Sequence, residues 1–298
     1  MDLSVYPHAE SFAREVGIPA GNLIRAFEIE REYRGRILRE EDPAARRMLY
    51  SEVCSKVHPL YRVTRSRKDE IAAKLPVVKL FRRELTGRSI LDLGCGTGAF
   101  LLCAAGWVKP KRLLGIDIDP DKIGPEDKII NYRRMNLTDF SLEESFDVVF
   151  SDNVMEHIAP ADLPGHLKSI WNALNDGGRL IVIMPNRLFG PSDVTRVIDR
   201  SCTNRIPAAG MHLFESTYSE MIPLLARAGF AEFETVIQIP GLTCHLPRIR
   251  ISPRVYLEIE NNDGLLNLMY RFRFRGKCRF KFMVILLCRK STPGRDIN

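Results

Sequence analysis

The sequence predicts an α/β fold built on a doubly wound, mostly parallel sheet, with a helical addition in front of it. Two observations carry this. The run Ile90-Leu91-Asp92-Leu93 is apolar except for one acid, and it breaks into three alternate glycines, Gly94, Gly96 and Gly98, before a helix-forming stretch opens at Ala99. Such a run suits a strand buried on both faces, and the glycines permit a tight turn whose backbone can lie against a ligand. Beyond it, short apolar runs alternate with helical patterns, the order expected of parallel strands joined by helical crossovers.

The 298 residues suffice for one sizeable core and an addition. We expect a helical cap over 1–86, a main domain over 87–290 with an insertion at about 240–278, and a tail over 291–298. No run of about 18 apolar residues offers a membrane span, and the first 17 residues carry acids and Pro7 where a signal peptide would need an apolar stretch. A cytoplasmic location is therefore expected. Seven cysteines, an odd number without a C-x-x-C pair, predict reduced thiols and argue against a zinc site or disulfide framework. The formal net charge of +7 permits an anionic partner and serves solubility equally well.

In the cap, 20–40 reads as an amphipathic helix with Leu23, Ala26, Phe27, Tyr33, Ile37 and Leu38 on one face and Ile24 and Ile29 at its margins. Asp42-Pro43 is an N-cap with proline at the first helical position, opening a helix to about Val57. A third helical stretch, 68–85, contains Pro76, which kinks or divides it. Strands are expected at 89–93, 112–116, 129–134, 148–151, 179–184, 232–239 and 280–287. Helices fill 99–106 and 160–174, and another follows a Ser216 or Thr217 cap. Between 121 and 126, Gly124-Pro125 leaves little room for a helix. Near the end, helical pattern runs over about 255–269, and Tyr270 to Lys277 alternates aromatic with basic residues, reading as one strand with a basic and an aromatic face.

The glycine spacing is G-x-G-x-G, not the G-x-G-x-x-G of a dinucleotide fold. Asp92, two residues before the first glycine, would repel a pyrophosphate and hold a cationic ammonium group, directly or through water. A second acid, Asp117, closes the next strand about 20 residues on, where a ribose-binding acid is expected.

Together with Met135-Asn136-Leu137-Thr138-Asp139 and the stretch Phe146 to Ile158, these motifs resemble the class I S-adenosylmethionine-dependent methyltransferases over roughly Ser89 to Val236. The resemblance implies a seven-stranded sheet with its last strand antiparallel, and S-adenosyl-L-methionine as cofactor. It places the cofactor against Asp92, Gly94, Cys95, Gly96, Gly98, Ile118, Leu137, Ser151 and Asn153, with the ribose at Asp117 and the adenine amino group at Asn136. Asn136 stands where the family usually has an acid, and its amide oxygen can accept from the adenine amino group. N-terminal helices often cover the pocket in this family, which would turn His58, Tyr61 and Arg62 toward the substrate.

The sulfonium already makes the methyl group electrophilic, so the enzyme aligns a nucleophile and needs a base only for an acceptor protonated at neutral pH. His157, after the fourth strand, and His212, after the long connection that follows the fifth, are the candidate bases. Asn186 and Arg187 are candidate substrate contacts with Tyr61; Asp193, Arg196 and Glu215 are secondary ones, and Arg187 with Arg196 would suit a carboxylate or phosphate. No metal-ligand spacing emerges. Ser151-Asp152-Asn153-Val154 stands where methyltransferases of DNA-base amines and glutamine carry Asn/Asp-Pro-Pro-aromatic. The expected acceptor is a small metabolite, glycan or lipid-linked intermediate, at oxygen, nitrogen or carbon. Two alternatives remain: an RNA methyltransferase using the basic 271–281 segment, and a noncatalytic cofactor-binding partner subunit.

Overall fold

The strand ends that face the glycine loop lie side by side in the computed structural model, which describes residues 3–61, 66–119, 130–238, 245–274, 277–278 and 280–291. Its strands are β1 (Ser89–Leu93), β2 (Arg112–Asp117), β3 (Asn131–Arg134), β4 (Phe146–Asp152), β5 (Leu174–Met184), β6 (Phe230–Gln238), β7 (His245–Ile251), β8 (Arg273–Phe274), β9 (Lys277–Cys278) and β10 (Val284–Lys290). Eight of them form one sheet in the order β3-β2-β1-β4-β5-β10-β6-β7. β1 runs parallel to β2 and β4, β2 to β3, and β4 to β5, whereas β10 is antiparallel to β5 and β6 and β7 is antiparallel to β6. Strand order reverses between β1 and β4, and the crevice beyond their carboxyl ends is where such sheets bind ligands. In register, Leu93 pairs with both Ile116 and Ser151, so the ends of three strands meet at that crevice.

The doubly wound sheet and the antiparallel last strand are as expected, but the sheet has eight strands, not seven. The eighth, β7, comes from the insertion and covers the edge of β6, pairing Thr235 with Ile251. The last strand begins at Val284, not near 280, because Phe282 turns into an aromatic group with Tyr256 (centroids 4.8 Å apart) and Phe189 (4.9 Å). The alternating stretch 270–277 is not one strand. Helix α11 (Asp263–Arg271) takes up Tyr270 and Arg271, and β8 and β9 pair with each other, Arg273 opposite Cys278. The helical pattern before it is two helices, α10 (Arg254–Glu260) and α11. The breaker-containing stretch 121–126 and Arg62 lie outside the described residues.

The sheet separates two cores. On one face Leu91, Leu93, Val149 and Val182 pack with α8 (Leu163–Ala173) and α9 (Tyr218–Arg227) through Leu167, Ile170, Tyr218 and Leu225. On the other, Ile90, Val148, Phe150 and Ile181 meet α7 (Ala99–Val108) through Phe100 and Leu101. Alternate residues of each strand thus reach opposite cores, as the two-residue period requires. Phe100 stacks on Phe150 with centroids 3.9 Å apart.

The helical addition opens with α1 (Ala9–Val16), α2 (Ala20–Arg39) and α3 (Pro43–Val57). Asp42 caps α3, accepting from the Ala44 and Ala45 amides at 3.1 and 3.0 Å. On α2 the buried stripe holds Leu23, Ile24, Ala26, Phe27, Tyr33 and Ile37; Leu38 is exposed, and Glu30 sits inside the stripe. The 68–85 stretch is three short helices, α4 (Arg67–Ala73), α5 (Leu75–Leu80) and α6 (Arg82–Leu85), with Pro76 in the first turn of α5, where its missing amide costs nothing. The breaks matter, because the α4–α5 junction is Lys74.

Candidate functional site

The glycine loop is shaped by β2. The Gly94 and Cys95 amides donate to the Ile116 carbonyl at 2.8 and 3.2 Å, and the Gly96 amide donates to Asp117 Oδ2 at 2.8 Å. Asp117 Oδ1 accepts from the Asp119 amide at 3.0 Å, leaving each carboxylate oxygen with a further lone pair. Gly96 has φ +51°, and a β-carbon there would meet nothing within 4 Å; at Gly98 it would meet the Tyr132 hydroxyl oxygen at 2.0 Å. Gly96 thus opens onto free space, and Gly98 allows Tyr132 to close in.

That space is a cavity of about 370 Å³. Gly94, Gly96, Asp117, Ile118, Asn136 and Leu137 line its sheet side; Glu30, Tyr50, Val57, His58 and Tyr61 from the N-terminal helices cover it; Asn153, His157 and Met211 form the remaining wall. A second cavity of about 360 Å³ lies near the opposite end of β1 and β4, among Arg83, Arg88, Asp147, Arg179 and Arg289, away from the glycine loop, Asp117 and Asn136.

Asp92 lies beneath the glycine loop, almost wholly buried. Burial, with the nearby charges of Asp152 and Asp117, pushes its carboxyl well above the usual range, against the pull of Lys74. Lys74 reaches from the α4–α5 junction to Asp152 Oδ2 at 2.9 Å. One cation therefore stands among three acids. Ser151 is fully buried and its hydroxyl has no hydrogen-bond partner among the described residues. Cys95 packs inward over Gly115, where a β-carbon would lie 2.7 Å from its sulfur, and burial pushes its thiol up, so it supports the loop from below. Asn136 Oδ1 accepts from the Thr138 amide (2.9 Å) and hydroxyl (2.8 Å). The expectation that this oxygen accepts from an adenine amino group is corrected: it is engaged in the local turn, and the amide nitrogen is the remaining polar atom. Asn153 has φ +56°, donates to Asp152 Oδ1 at 2.7 Å and lines the cavity.

Both candidate bases come together. The His157 and His212 rings meet edge to face with centroids 4.9 Å apart. His157 Nδ1–H donates to the Met211 carbonyl at 3.0 Å, and burial, reinforced by the charge of His212, pushes its pKa down to about 4. Burial alone would also depress His212; its 2.7 Å hydrogen bond to Glu215 Oε1 and the charges of Glu156, Asp193 and Glu215 outweigh that and raise it to about 9. Glu156 is fully buried beside them, neither carboxylate oxygen has a hydrogen-bond partner among the described residues, and burial raises it to about 7. Contrary to the sequence reading, the fold assembles a potential metal-ligand set: Glu156, His157 and His212 each offer one ligand atom, all within 4.8 Å of one another.

Glu30 was not singled out in the sequence, although it interrupts the apolar stripe of α2 at helical spacing from Phe27 and Tyr33. One of its oxygens accepts from the Tyr61 hydroxyl and the other from the Met211 amide at 2.9 Å; burial raises it to about 7. Tyr61 thus lines the cavity as expected. Asn186 and Arg187 do not. Asn186 is buried, accepting from the Leu188 amide at 3.0 Å and donating to Glu260 at 2.9 Å, while Arg187 pairs with Glu220. Arg196 pairs with Glu15 at 2.9 Å, so the two arginines do not form an anion clamp. Asp193 accepts from the Thr195 and Gly210 amides and shapes the 193–210 connection.

A family model described as a methyltransferase domain matches residues 63–232. A tRNA U34 carboxymethyltransferase of Haemophilus influenzae (strain PittEE) is 30% identical over 169 residues, 51% of this chain and 48% of that protein. A ubiquinone biosynthesis O-methyltransferase of Mesorhizobium japonicum is 30% identical over 128 residues, 40% of this chain and 50% of that protein. The chain thus spans about half the length of the curated relatives it matches. The methyltransferase solved in complex with the Trm112 methyltransferase activator of Haloferax volcanii shares the fold, with a TM-score of 0.50 at 15% identity over 76% of this chain and 94% of that one.

Proposed function

Because the chain belongs to the class I S-adenosylmethionine-dependent methyltransferases, whose domain spans more than half of it, we propose that it methylates an oxygen, nitrogen or carbon of a small metabolite, glycan or lipid-linked intermediate. The observation that carries this is a single cavity with Gly96 and Asp117 on one side and Tyr61, His157 and Met211 on the other. A cofactor and an acceptor can meet in it.

The residues fit the cofactor. Gly96 leaves open the space that a β-carbon would fill, and Asp117 keeps lone pairs for two ribose hydroxyls. Asp92, Asp152 and Lys74 present both signs of charge, as an amino-acid zwitterion requires. Ile118 and Leu137 offer apolar walls, and Asn136 and Asn153 polar ones, to the purine side. When bound, S-adenosylmethionine supplies a methyl group activated by its sulfonium. The chain's own work is alignment and exclusion of water by α2, α3 and the 57–61 turn.

Titration calorimetry with S-adenosylhomocysteine, with NAD as the comparison, tests this. Micromolar binding of the former alone, about 8 kcal/mol, supports the reading and justifies an acceptor screen; binding of NAD alone overturns it. A second reading, methylation of RNA, draws on the tRNA-acting relative. Affinity for RNA that falls steeply with added salt would favour it. Cofactor binding without turnover, alongside a co-purifying protein, would favour a partner-subunit role.

A further inference from the structure

We propose that Glu156, His157 and His212 form a binding site for a divalent transition-metal ion on the acceptor wall of the cavity. Three independent features point there. The first is convergence: the turn after β4 contributes Glu156 and His157, the segment before α9 contributes His212, and one ligand atom from each lies within 4.8 Å of the others. The second is the carboxylate of Glu156. It is fully buried, neither oxygen has a hydrogen-bond partner among the described residues, and an unpartnered carboxylate in such a place is costly unless a cation joins it.

The third is the orientation of the imidazoles. His157 turns Nδ1–H to the Met211 carbonyl at 3.0 Å, and His212 turns Nδ1 to Glu215 Oε1 at 2.7 Å. In metal-bound imidazoles the ring nitrogen away from the ion is typically held by a carbonyl or carboxylate in this way, which fixes the lone pair on the other nitrogen. Glu215 is itself held, its Oε1 accepting from the Ser192 amide at 2.8 Å. Two imidazoles and one carboxylate suit zinc, cobalt, nickel or ferrous iron better than magnesium, which prefers an all-oxygen shell. His157 lines the cavity, so the remaining coordination positions open toward the acceptor side, where an acceptor oxygen can enter.

The rival account has no ion: a protonated His212, held by Glu215, serves as counter-charge to Glu156. The two are separated by binding, measured on the full chain after chelator treatment and dialysis. Titration with Zn²⁺ is expected to show one site of micromolar affinity or tighter, and Co²⁺ to give the visible absorption bands of a protein-bound ion, with Mg²⁺ at the same concentration silent. Glu156→Gln and His212→Asn should each weaken Zn²⁺ binding at least a hundredfold. Because His212→Asn can also disturb folding, Glu215→Gln is the second variant, expected to weaken binding ten- to a hundredfold with an unchanged circular dichroism spectrum. No heat and no cobalt bands would overturn the site, as would Zn²⁺ binding of equal strength in Glu156→Gln, which would place the ion elsewhere. S-adenosylhomocysteine affinity, titrated in the same preparation, reports the transferase reading separately.

Discussion

Arg46 and Asp162, 116 residues apart, meet through two parallel charge-assisted bonds, Nε to Oδ2 at 2.8 Å and Nη2 to Oδ1 at 2.6 Å. Both side chains are buried, and Tyr50, one turn further along α3, donates to the same carboxylate at 3.0 Å while accepting from the Ala159 amide at 2.8 Å. This cluster ties α3, and with it the cover of the cavity, to the segment between β4 and α8. Asp162→Ala would strand a buried guanidinium and is expected to lower stability by about 3–5 kcal/mol, read from urea denaturation. Adding Arg46→Met should recover most of that loss; no recovery would mean that the pair does not act as a unit.

His166 gives a pH dependence with a definite sign. It is fully buried, Nδ1–H donates to the Leu137 carbonyl at 2.6 Å, Nε2 has no partner among the described residues, and burial pushes the pKa down to about 4 from an ordinary 6.5. The unfolded chain therefore binds a proton that the folded one refuses between these values. The contribution of this one group is full above pH 6.5 and is lost as pH drops toward 4, by about 3 kcal/mol in all. His166→Leu removes this component, so its urea midpoint should vary less between pH 7.5 and 5 than the parent's. Parallel curves would refute the assignment.

At Gly96 a side chain would be strained by the positive φ and would project into the cavity. Gly96→Val should therefore reduce S-adenosylhomocysteine affinity at least a hundredfold in calorimetry. Asp117→Ala should cost about 1.5–3 kcal/mol of binding, through lost ribose contacts and a loosened Gly96 amide. Unchanged affinity in both variants would move the cofactor out of this loop.

Lys74 is the cation nearest the acids at the strand ends. If the cofactor's carboxylate pairs with Lys74 while its ammonium faces Asp92 and Asp152, Lys74→Met should weaken S-adenosylhomocysteine roughly tenfold, about 1.4 kcal/mol. Tighter binding in the variant would instead identify Lys74 as a competitor for the ammonium's place.

The glycine-loop side of the candidate site was legible because its residues are adjacent in sequence: Asp92, the glycines and Asp117 occupy two strand–turn junctions whose spacing survives folding. The histidine side was not, because it is assembled across the chain. His157 and His212 could be named individually, but nothing in the sequence brings Glu156 to His212 or turns Glu215 behind it. Glu30 was visible only as a charge within an apolar stripe, and Lys74 only as one lysine among many until the helix breaks around it. Asn186 and Arg187 misled because a long connection after a strand suggests substrate contact, whereas Asn186 caps a turn and Arg187 pairs on the surface. The alternation at 270–277 misled because α11 extends through Arg271 and takes its first two residues.

Met211 joins α2 to the histidine wall of the cavity through its main chain: its amide donates to Glu30 on α2, and its carbonyl accepts from His157 Nδ1–H. The form of the imidazole therefore follows a main-chain atom, while the Met211 side chain packs in the same core as Tyr33 and Ile37 of α2. It depends on where the backbone is, and α2 holds that backbone in place. A displacement of α2 would therefore pull on the same peptide link that fixes the His157 ring.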